Sequence, residues 1–226
     1  MKSDKRTGRI AGLLFLIIFV TGIIVYQFLQ GPVLFSDDYL TATSANTTEI
    51  IISTLLLFLN GIISVVIAVI LMPIFKRYSV VLAFLYLAFS ILSFITIAID
   101  NVSVLALLEL SLEHTNNAIS NTDITNTLGK VFFKNHWWTH YLSLLISCFP
   151  IFVLYLTLYL SKFIPRVISI VGIIAAILMF IEMLSSILGN SISMNMLLPM
   201  GLIQLFFPLW LIFKGLNTSV SDAEMN

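Results

Sequence analysis

Charge is scarce in this sequence, since only 10% of its 226 residues are Asp, Glu, Lys or Arg and the formal net charge is zero. Ordinary globular proteins carry roughly 25% charged residues, because their surfaces must be hydrated. Apolar residues make up 59% of this chain. The composition therefore excludes a soluble domain. No stretch of the sequence has the character of a nucleic-acid-binding surface, so no nucleic-acid partner is expected.

Cysteine is almost absent as well. The single Cys148 lies inside an apolar run, which excludes an internal disulfide and any metal site built from several cysteines. The sequence also lacks a phosphate-binding glycine loop and a serine-hydrolase elbow. The common enzyme motifs that sequence alone can identify are therefore missing.

Long apolar runs are what the chain has in abundance. A run of about 18 residues or more can cross roughly 30 Å of hydrocarbon as a helix. The first run is longer than the apolar core of a signal peptide, so we expect it to be a retained helix. The sequence predicts an all-α, polytopic membrane protein, with residues 1–226 forming a single domain of six transmembrane helices in one bundle. The expected spans are about 10–29, 50–75, 80–100, 136–160, 167–188 and 194–213.

The third span poses a problem of length. If residues 78–113 formed one uninterrupted helix, it would be roughly 54 Å long at 1.5 Å per residue, which exceeds the bilayer core. Either the third helix projects well beyond the membrane, or it breaks near Asp100 and residues 102–113 lie at the membrane surface; of the two, we expect the break. Residues 30–49 and 101–135 are expected to be the two long extracytoplasmic loops.

The basic residues predict the orientation. Nine of the 11 Lys and Arg lie in four clusters: residues 2–9, 76–77, 162–166 and 214. Six crossings place all four clusters on one side, and cytoplasmic loops are the ones that carry an excess of Lys and Arg. Both termini are therefore expected in the cytoplasm.

Polar side chains inside spans are costly and usually face the bundle interior or water. His136, His140 and Ser143 share one face of the fourth span at three- and four-residue spacing. Asp100 and Glu182 approach the same side of the membrane on neighbouring spans. Together these five residues predict a polar pocket that is open to the outside, with Glu182 as the expected neighbour of the histidines.

Two interpretations of the histidines follow from the sequence. His136 and His140, one turn apart, could share a zinc ion with Glu182, Asp100, Glu113 or His114 as a third ligand; of these we list His136, His140 and Glu182 as the metal set. Alternatively, His136 belongs with the neighbouring tryptophans to the aromatic and basic belt at the lipid–water boundary. Apart from this zinc ion, no cofactor is expected.

Three short motifs resemble a bacterial membrane family, domain-of-unknown-function family 4386. They are Arg9-Ile10-Ala11-Gly12-Leu13-Leu14-Phe15-Leu16, Ser161-Lys162-Phe163-Ile164-Pro165-Arg166 at the end of a histidine-led fourth helix, and Leu209-Trp210-Leu211-Ile212-Phe213-Lys214-Gly215. The resemblance implies six helices in a bacterial or archaeal plasma membrane, and it implies no activity. This chain departs from the family's pattern at Gln204, where an acidic residue is common, and at Ser90, where a basic residue is common.

Three functions remain open at this point. The sparse buried charge favours a non-enzymatic accessory or envelope-sensing protein, which works with the lipid bilayer and with a second copy or another membrane protein. A small transporter or carrier with an outward-facing polar pocket is the first alternative. A metal-dependent intramembrane hydrolase is the second alternative, and it needs both histidines and a carboxylate around one metal ion.

Overall fold

The computed structural model describes residues 2–116 and 122–217, and within these ranges it contains helices and no strand. The elements in chain order are α1 (Lys2–Ile24), a π-helical turn (Val25–Leu29), α2 (Gly31–Leu34), α3 (Tyr39–Ala45), α4 (Thr47–Tyr78), α5 (Val80–Thr115), α6 (Thr122–Ser161), α7 (Arg166–Ile187) and α8 (Met194–Lys214).

Six of the helical segments are long and apolar enough to cross a membrane: Asp4–Leu34, Thr47–Tyr78, Val80–Thr115, Asp123–Ser161, Arg166–Ile187 and Met194–Lys214. Helices suit this environment because every backbone N–H and C=O in the hydrocarbon must be paired within the segment. Many large apolar side chains on the six helices face outward, as expected for surfaces in contact with lipid. The prediction of an all-α, multi-pass membrane protein with six spans is confirmed.

The six spans form a ring in the order of the sequence. Each span packs against its neighbours in sequence, from α1 and α4 through to α7 and α8, and the contact between α1 and α8 closes the ring. Small residues allow close contacts in this ring, because lipid offers no hydrophobic drive for helix association. A Cβ atom added at Gly12 of α1 would lie 2.7 Å from Cβ of Leu211 and 2.8 Å from the carbonyl oxygen of Pro208, both in α8.

The four basic clusters meet at one end of the ring. Arg77 forms an ion pair of 2.9 Å with Asp4, and Arg9 donates a hydrogen bond to the carbonyl oxygen of Phe213. The N–H of Asn217 donates to the carbonyl oxygen of Phe163 at 2.9 Å. We call this end the basic end. The start of α1 and the end of α8 lie together there, so the ends of the described chain share one end of the bundle.

The predicted break near Asp100 is wrong. α5 continues through Asp100 to Thr115, and α6 begins at Thr122, so most of the predicted loop 101–135 is helical. No glycine or proline interrupts residues 80–115, and side chains of α6 bond Asp100 within the bundle. Because Asp100 has these hydrogen-bond partners inside the bundle, it can lie within a continuous helix and does not have to be exposed to water in a loop. Residues 117–121 of the predicted loop lie outside the described residues.

The last turns of α5 and the first turns of α6 form a second packed unit with the segment that follows α1. The predicted loop 30–49 contains α2 and α3, whose apolar residues pack against α5. We call residues 31–46, 104–116 and 122–133 the cap. Its core comprises Val33, Leu34, Leu40, Val104, Leu107, Leu108 and Leu110 together with Ile50 of α4. The cap therefore has its own hydrophobic core, separate from the larger core of the ring.

Candidate functional site

A layer of polar side chains separates the core of the ring from the core of the cap. The side-chain amide of Asn101 donates to the carbonyl oxygen of Thr54 at 3.0 Å, and that of Asn135 donates to Oγ of Ser103 at 3.0 Å. We call this set the polar layer; it comprises Gln30, Ser53, Thr54, Asp100, Asn101, Ser103, Asn135, His136, Thr139 and His140. Polar groups buried between two apolar cores are costly unless they have hydrogen-bond partners.

Asp100 lies at the centre of this layer and is 4% exposed. Its Oδ1 atom is 2.9 Å from Nδ1 of His136, and its Oδ2 atom is 3.1 Å from Nδ1 of His140. The hydroxyl of Thr139 donates to Oδ1 at 2.8 Å. The three α6 residues share one helical face, because they are spaced three and four positions apart. We call these four residues the Asp100 cluster.

The geometry of the Asp100 cluster determines the tautomer of each imidazole. A carboxylate oxygen only accepts, so each Nδ1 carries the hydrogen that points at Asp100. In the neutral form of each ring, Nε2 is then free to accept a hydrogen bond or to bind an ion. The ring of Tyr26, on the π-helical turn, packs edge-on against His140 with 5.6 Å between ring centroids. Asp100 therefore holds both histidines in defined orientations.

A cavity of about 540 Å³ occupies the centre of the ring and is lined by residues of all six spans. Asp100, Tyr26 and Ser143 line it towards the cap, and Tyr155 and Phe207 line it towards the basic end. Most of the lining side chains are apolar. Asp100 is the one member of the lining that belongs to Asp, Glu, Lys or Arg. The Asp100 cluster thus meets the cavity at Asp100.

A second, open groove of about 610 Å³ lies on the outside of α4, α5 and α6. It is lined by Phe58, Phe94, Ile99, Val102, Ser103, Asn135 and Thr139, among others. Thr139 therefore contacts Asp100 through its hydroxyl and also faces this groove.

The structure brings four of the five predicted site residues into one place. Asp100, His136 and His140 are in direct contact, and the hydroxyl of Ser143 donates to the carbonyl oxygen of His140 at 2.8 Å. His136 is 8% exposed, so its assignment to the lipid–water belt is wrong. Its neighbour Trp138 is 46% exposed, which is consistent with the predicted position in the aromatic belt.

Glu182 is the predicted site residue that lies apart from the Asp100 cluster. Its Oε1 atom accepts a hydrogen bond from the backbone N–H of Ser193 at 2.7 Å, where the chain enters α8. The carboxylate that lies with both histidines is Asp100. The predicted metal set of His136, His140 and Glu182 is therefore not the set that the structure assembles. A negative charge at the start of α8 is favoured by the helix dipole.

Sequence reasoning missed Thr139 and Tyr26. A signal for Thr139 was available, because it lies three residues after His136 on the face that carries both histidines. Tyr26 gives no such signal, since it comes from a span more than 100 residues away in sequence. The π-helical turn that carries it is a local irregularity of the kind often found at functional sites.

Comparison with known proteins gives a family and no characterised relative. No curated protein and no solved structure is significantly similar to the chain. The profile of one family, described as "Domain of unknown function (DUF4386)", matches residues 10–215. These residues include the last five spans, most of the first span, the Asp100 cluster and the cavity. The chain therefore belongs to the DUF4386 family.

Proposed function

We propose that this protein binds one elongated amphiphilic molecule of the membrane in its central cavity, with the polar group of that molecule at the Asp100 end. The observation that carries the proposal is the cavity itself, which is lined by all six spans and has Asp100 as its charged lining residue among those that the structure describes. A chamber with apolar walls and one polar end is complementary to a molecule with an apolar chain and one polar group.

The size of the cavity supports a chain-like ligand. Its volume of about 540 Å³ lies within the roughly 300–1,000 Å³ typical of ligand pockets. Ser143 and Tyr155 of α6 both line it, and twelve residues of helix are about 18 Å long. A cavity that extends this far along the helices suits a hydrocarbon chain better than a compact solute.

The charge of the lining restricts the polar group. Among the residues that the structure describes, Asp100 is the one formally charged residue that lines the cavity, and a like charge close to it in a medium of low dielectric constant would be strongly unfavourable. Tyr26, Ser93 and Ser143 line the cavity together with Asp100 and offer hydroxyl groups. We therefore expect a ligand with a hydroxyl or an amine, and not a phosphate or a carboxylate.

The proposal includes a location and an orientation. The four basic clusters meet at one end of the ring, and an excess of Lys and Arg is typical of cytoplasmic loops. We place the basic end in the cytoplasm of a bacterial or archaeal cell and the cap on the outer side of the plasma membrane. Binding an amphiphile close to that outer side would suit a non-enzymatic protein that monitors the lipids of the cell envelope or supports another membrane protein.

Two glycines offer a direct test of the cavity. A Cβ atom added at Gly22 or Gly201 would meet no other atom within 4 Å, and both residues line the cavity. Gly22→Leu and Gly201→Leu should therefore fill the space without displacing a helix. Ala88→Leu is the matched control, since Ala88 is exposed on α5 and outside both the cavity and the groove.

The measurement is the identification, by solvent extraction and mass spectrometry, of the molecules that remain with each purified protein after thorough detergent washing. We expect one class of hydroxyl- or amine-bearing amphiphile to remain with the wild type and with Ala88→Leu. The two glycine variants should lose most of it. Equal retention in all four proteins, or a predominance of anionic lipids, would contradict the proposal.

A further inference from the structure

We propose that the Asp100 cluster binds one divalent transition-metal ion of the Zn²⁺ type, with Asp100, His136 and His140 as its ligands. This site differs from the amphiphile site in its ligand atoms, because two of them are imidazole nitrogens of residues that do not line the cavity. It also does not require that any amphiphile is bound, and the preference of the cavity for a polar group without negative charge applies to the metal-free protein.

The geometry of the three side chains is close to that of a coordination site. Each offers one ligand atom, and the three atoms lie within 4.8 Å of one another. The observed distances from Nδ1 to the Asp100 oxygens are 2.9 Å and 3.1 Å. Two ligand atoms at tetrahedral positions about 2.0–2.1 Å from an ion are about 3.3 Å apart. An ion therefore needs each histidine–Asp100 distance to lengthen by a few tenths of an ångström, and the ligand atoms of the two histidines, which lie within 4.8 Å of each other, to approach a similar separation.

The donor set also selects a class of ion. Two imidazole nitrogens and one carboxylate oxygen suit Zn²⁺, Fe²⁺ and other first-row divalent ions. Ca²⁺ and Mg²⁺ prefer sites made of oxygen alone. Coordination through Nδ1 requires the other tautomer of each imidazole, with its hydrogen on Nε2, so the ion takes the place of the two hydrogen bonds that now hold the cluster together.

The charge balance of the buried site favours a cation. Among the residues that the structure describes, the ion-pair partners of Asp100 are His136 and His140 and no Lys or Arg. A buried carboxylate without a full positive charge nearby is costly. Hydrogen bonds from the imidazoles reduce that cost, and a divalent ion bound to the carboxylate supplies positive charge directly.

The surroundings hold the ligands in place and give an ion a route to them. His136 and His140 come from adjacent turns of one helix, and Asp100 comes from the helix packed against it. Thr139 donates to Oδ1 of Asp100 at 2.8 Å, as the hydrogen-bonding partners of metal ligands commonly do. Because Thr139 also faces the outer groove, an ion can approach the cluster past this side chain.

The experiment measures metal bound to the full chain purified through an affinity tag that contains no histidine. The protein is stripped with a mild chelator and dialysed against buffered Zn²⁺, and bound metal is quantified by inductively coupled plasma mass spectrometry. Fe²⁺ and Mn²⁺ are tested in parallel. The variants are His136→Ala, His140→Ala and Asp100→Asn. His114→Ala is the matched control, because His114 lies about 21 Å further along α5 from Asp100.

We expect the wild type and His114→Ala to hold one ion per chain, and each of the three ligand variants to hold almost none. Thr139→Val should weaken the affinity for Zn²⁺ about 10-fold to 100-fold, the range found when a residue that orients a metal ligand is removed. Gly201→Leu should bind the ion like the wild type even if it loses the amphiphile, which separates this proposal from the preceding one.

A loss of binding through misfolding is distinguished by a measurement on the wild type alone. The X-ray absorption spectrum of the Zn²⁺-loaded wild type should show nitrogen and oxygen ligands, including imidazole, at about 2.0–2.2 Å. The proposal is overturned if the wild type binds none of the three ions, if the ligand variants bind as the wild type does, or if the spectrum shows no imidazole.

Discussion

Oδ1 of Asp100 and Nδ1 of His136 lie 2.9 Å apart, although the two residues stand on different helices and 36 positions apart in sequence. This contact fixes the register between α5 and α6 at the level where the ring meets the cap. The same carboxylate bonds His140 with its other oxygen, so one buried residue links two turns of the neighbouring helix. The integrity of the polar layer therefore depends on Asp100.

Replacement of Asp100 should destabilise the protein to a degree that depends on the side chain introduced. Asp100→Ala leaves two buried Nδ1–H groups without an acceptor and should lower the free energy of unfolding by about 1–3 kcal/mol. Asp100→Asn keeps one acceptor oxygen and should cost less. Thermal unfolding of the metal-free proteins in one detergent measures the difference. An alanine variant as stable as the wild type would contradict the role assigned to this carboxylate.

Glu182 should behave as a structural residue. Its carboxylate accepts from the N–H of Ser193 at the start of α8, which a glutamine oxygen can also do. We expect Glu182→Ala to lower stability by about 0.5–2 kcal/mol, the usual cost of losing a cap at a helix start, and Glu182→Gln to lower it less. Neither change should alter the amount of bound Zn²⁺. Loss of metal in Glu182→Gln would restore Glu182 to the site.

Gly12 and Gly22 provide a matched pair on α1. A Cβ at Gly12 meets the side chain of Leu211 and the backbone at Pro208 and Ile212 within 3.0 Å, whereas a Cβ at Gly22 meets nothing within 4 Å. Gly12→Ala should therefore force α1 away from α8 and cost about 1–3 kcal/mol, the range for overpacked sites. Gly22→Ala should leave stability unchanged or raise it, since alanine favours helix. Equal unfolding temperatures would argue against the contact that closes the ring.

The orientation can be tested by cysteine labelling, because the native Cys148 is buried and should react slowly. Asp37→Cys places a thiol on the exposed surface of the cap, and Tyr78→Cys places one at the basic end. In intact cells, a membrane-impermeant maleimide should label the first variant and not the second. The reverse pattern would invert the topology that we propose.

The large features of the fold could be predicted because each depends on local sequence. Apolar runs of sufficient length specify spans, and the basic clusters of the sequence do meet at one end of the bundle. Whether a helix stops at a polar residue depends on partners elsewhere in the chain. The expected break at Asp100 failed for this reason, because α6 supplies two histidines and Thr139 as partners within the bundle.

The candidate site could be predicted in its composition but not in its pairing. Spacing along one helix places His136, His140 and Ser143 on one face, and the cost of burying charge draws attention to Asp100 and Glu182. Sequence cannot say which of these two acids faces the histidines, since that depends on the relative heights and rotations of α5, α6 and α7. The cavity could not be predicted from the sequence either, because it forms only when six helices close into a ring.

The most direct test of amphiphile binding is the mass of the intact protein with whatever remains bound to it, measured by native mass spectrometry after release from detergent. We predict that the wild type and Ala88→Leu each carry one additional mass, and that Gly201→Leu appears at the mass of the bare chain. If all three proteins carry the same additional mass, the molecule lies on the outer surface, and the cavity is not its binding site.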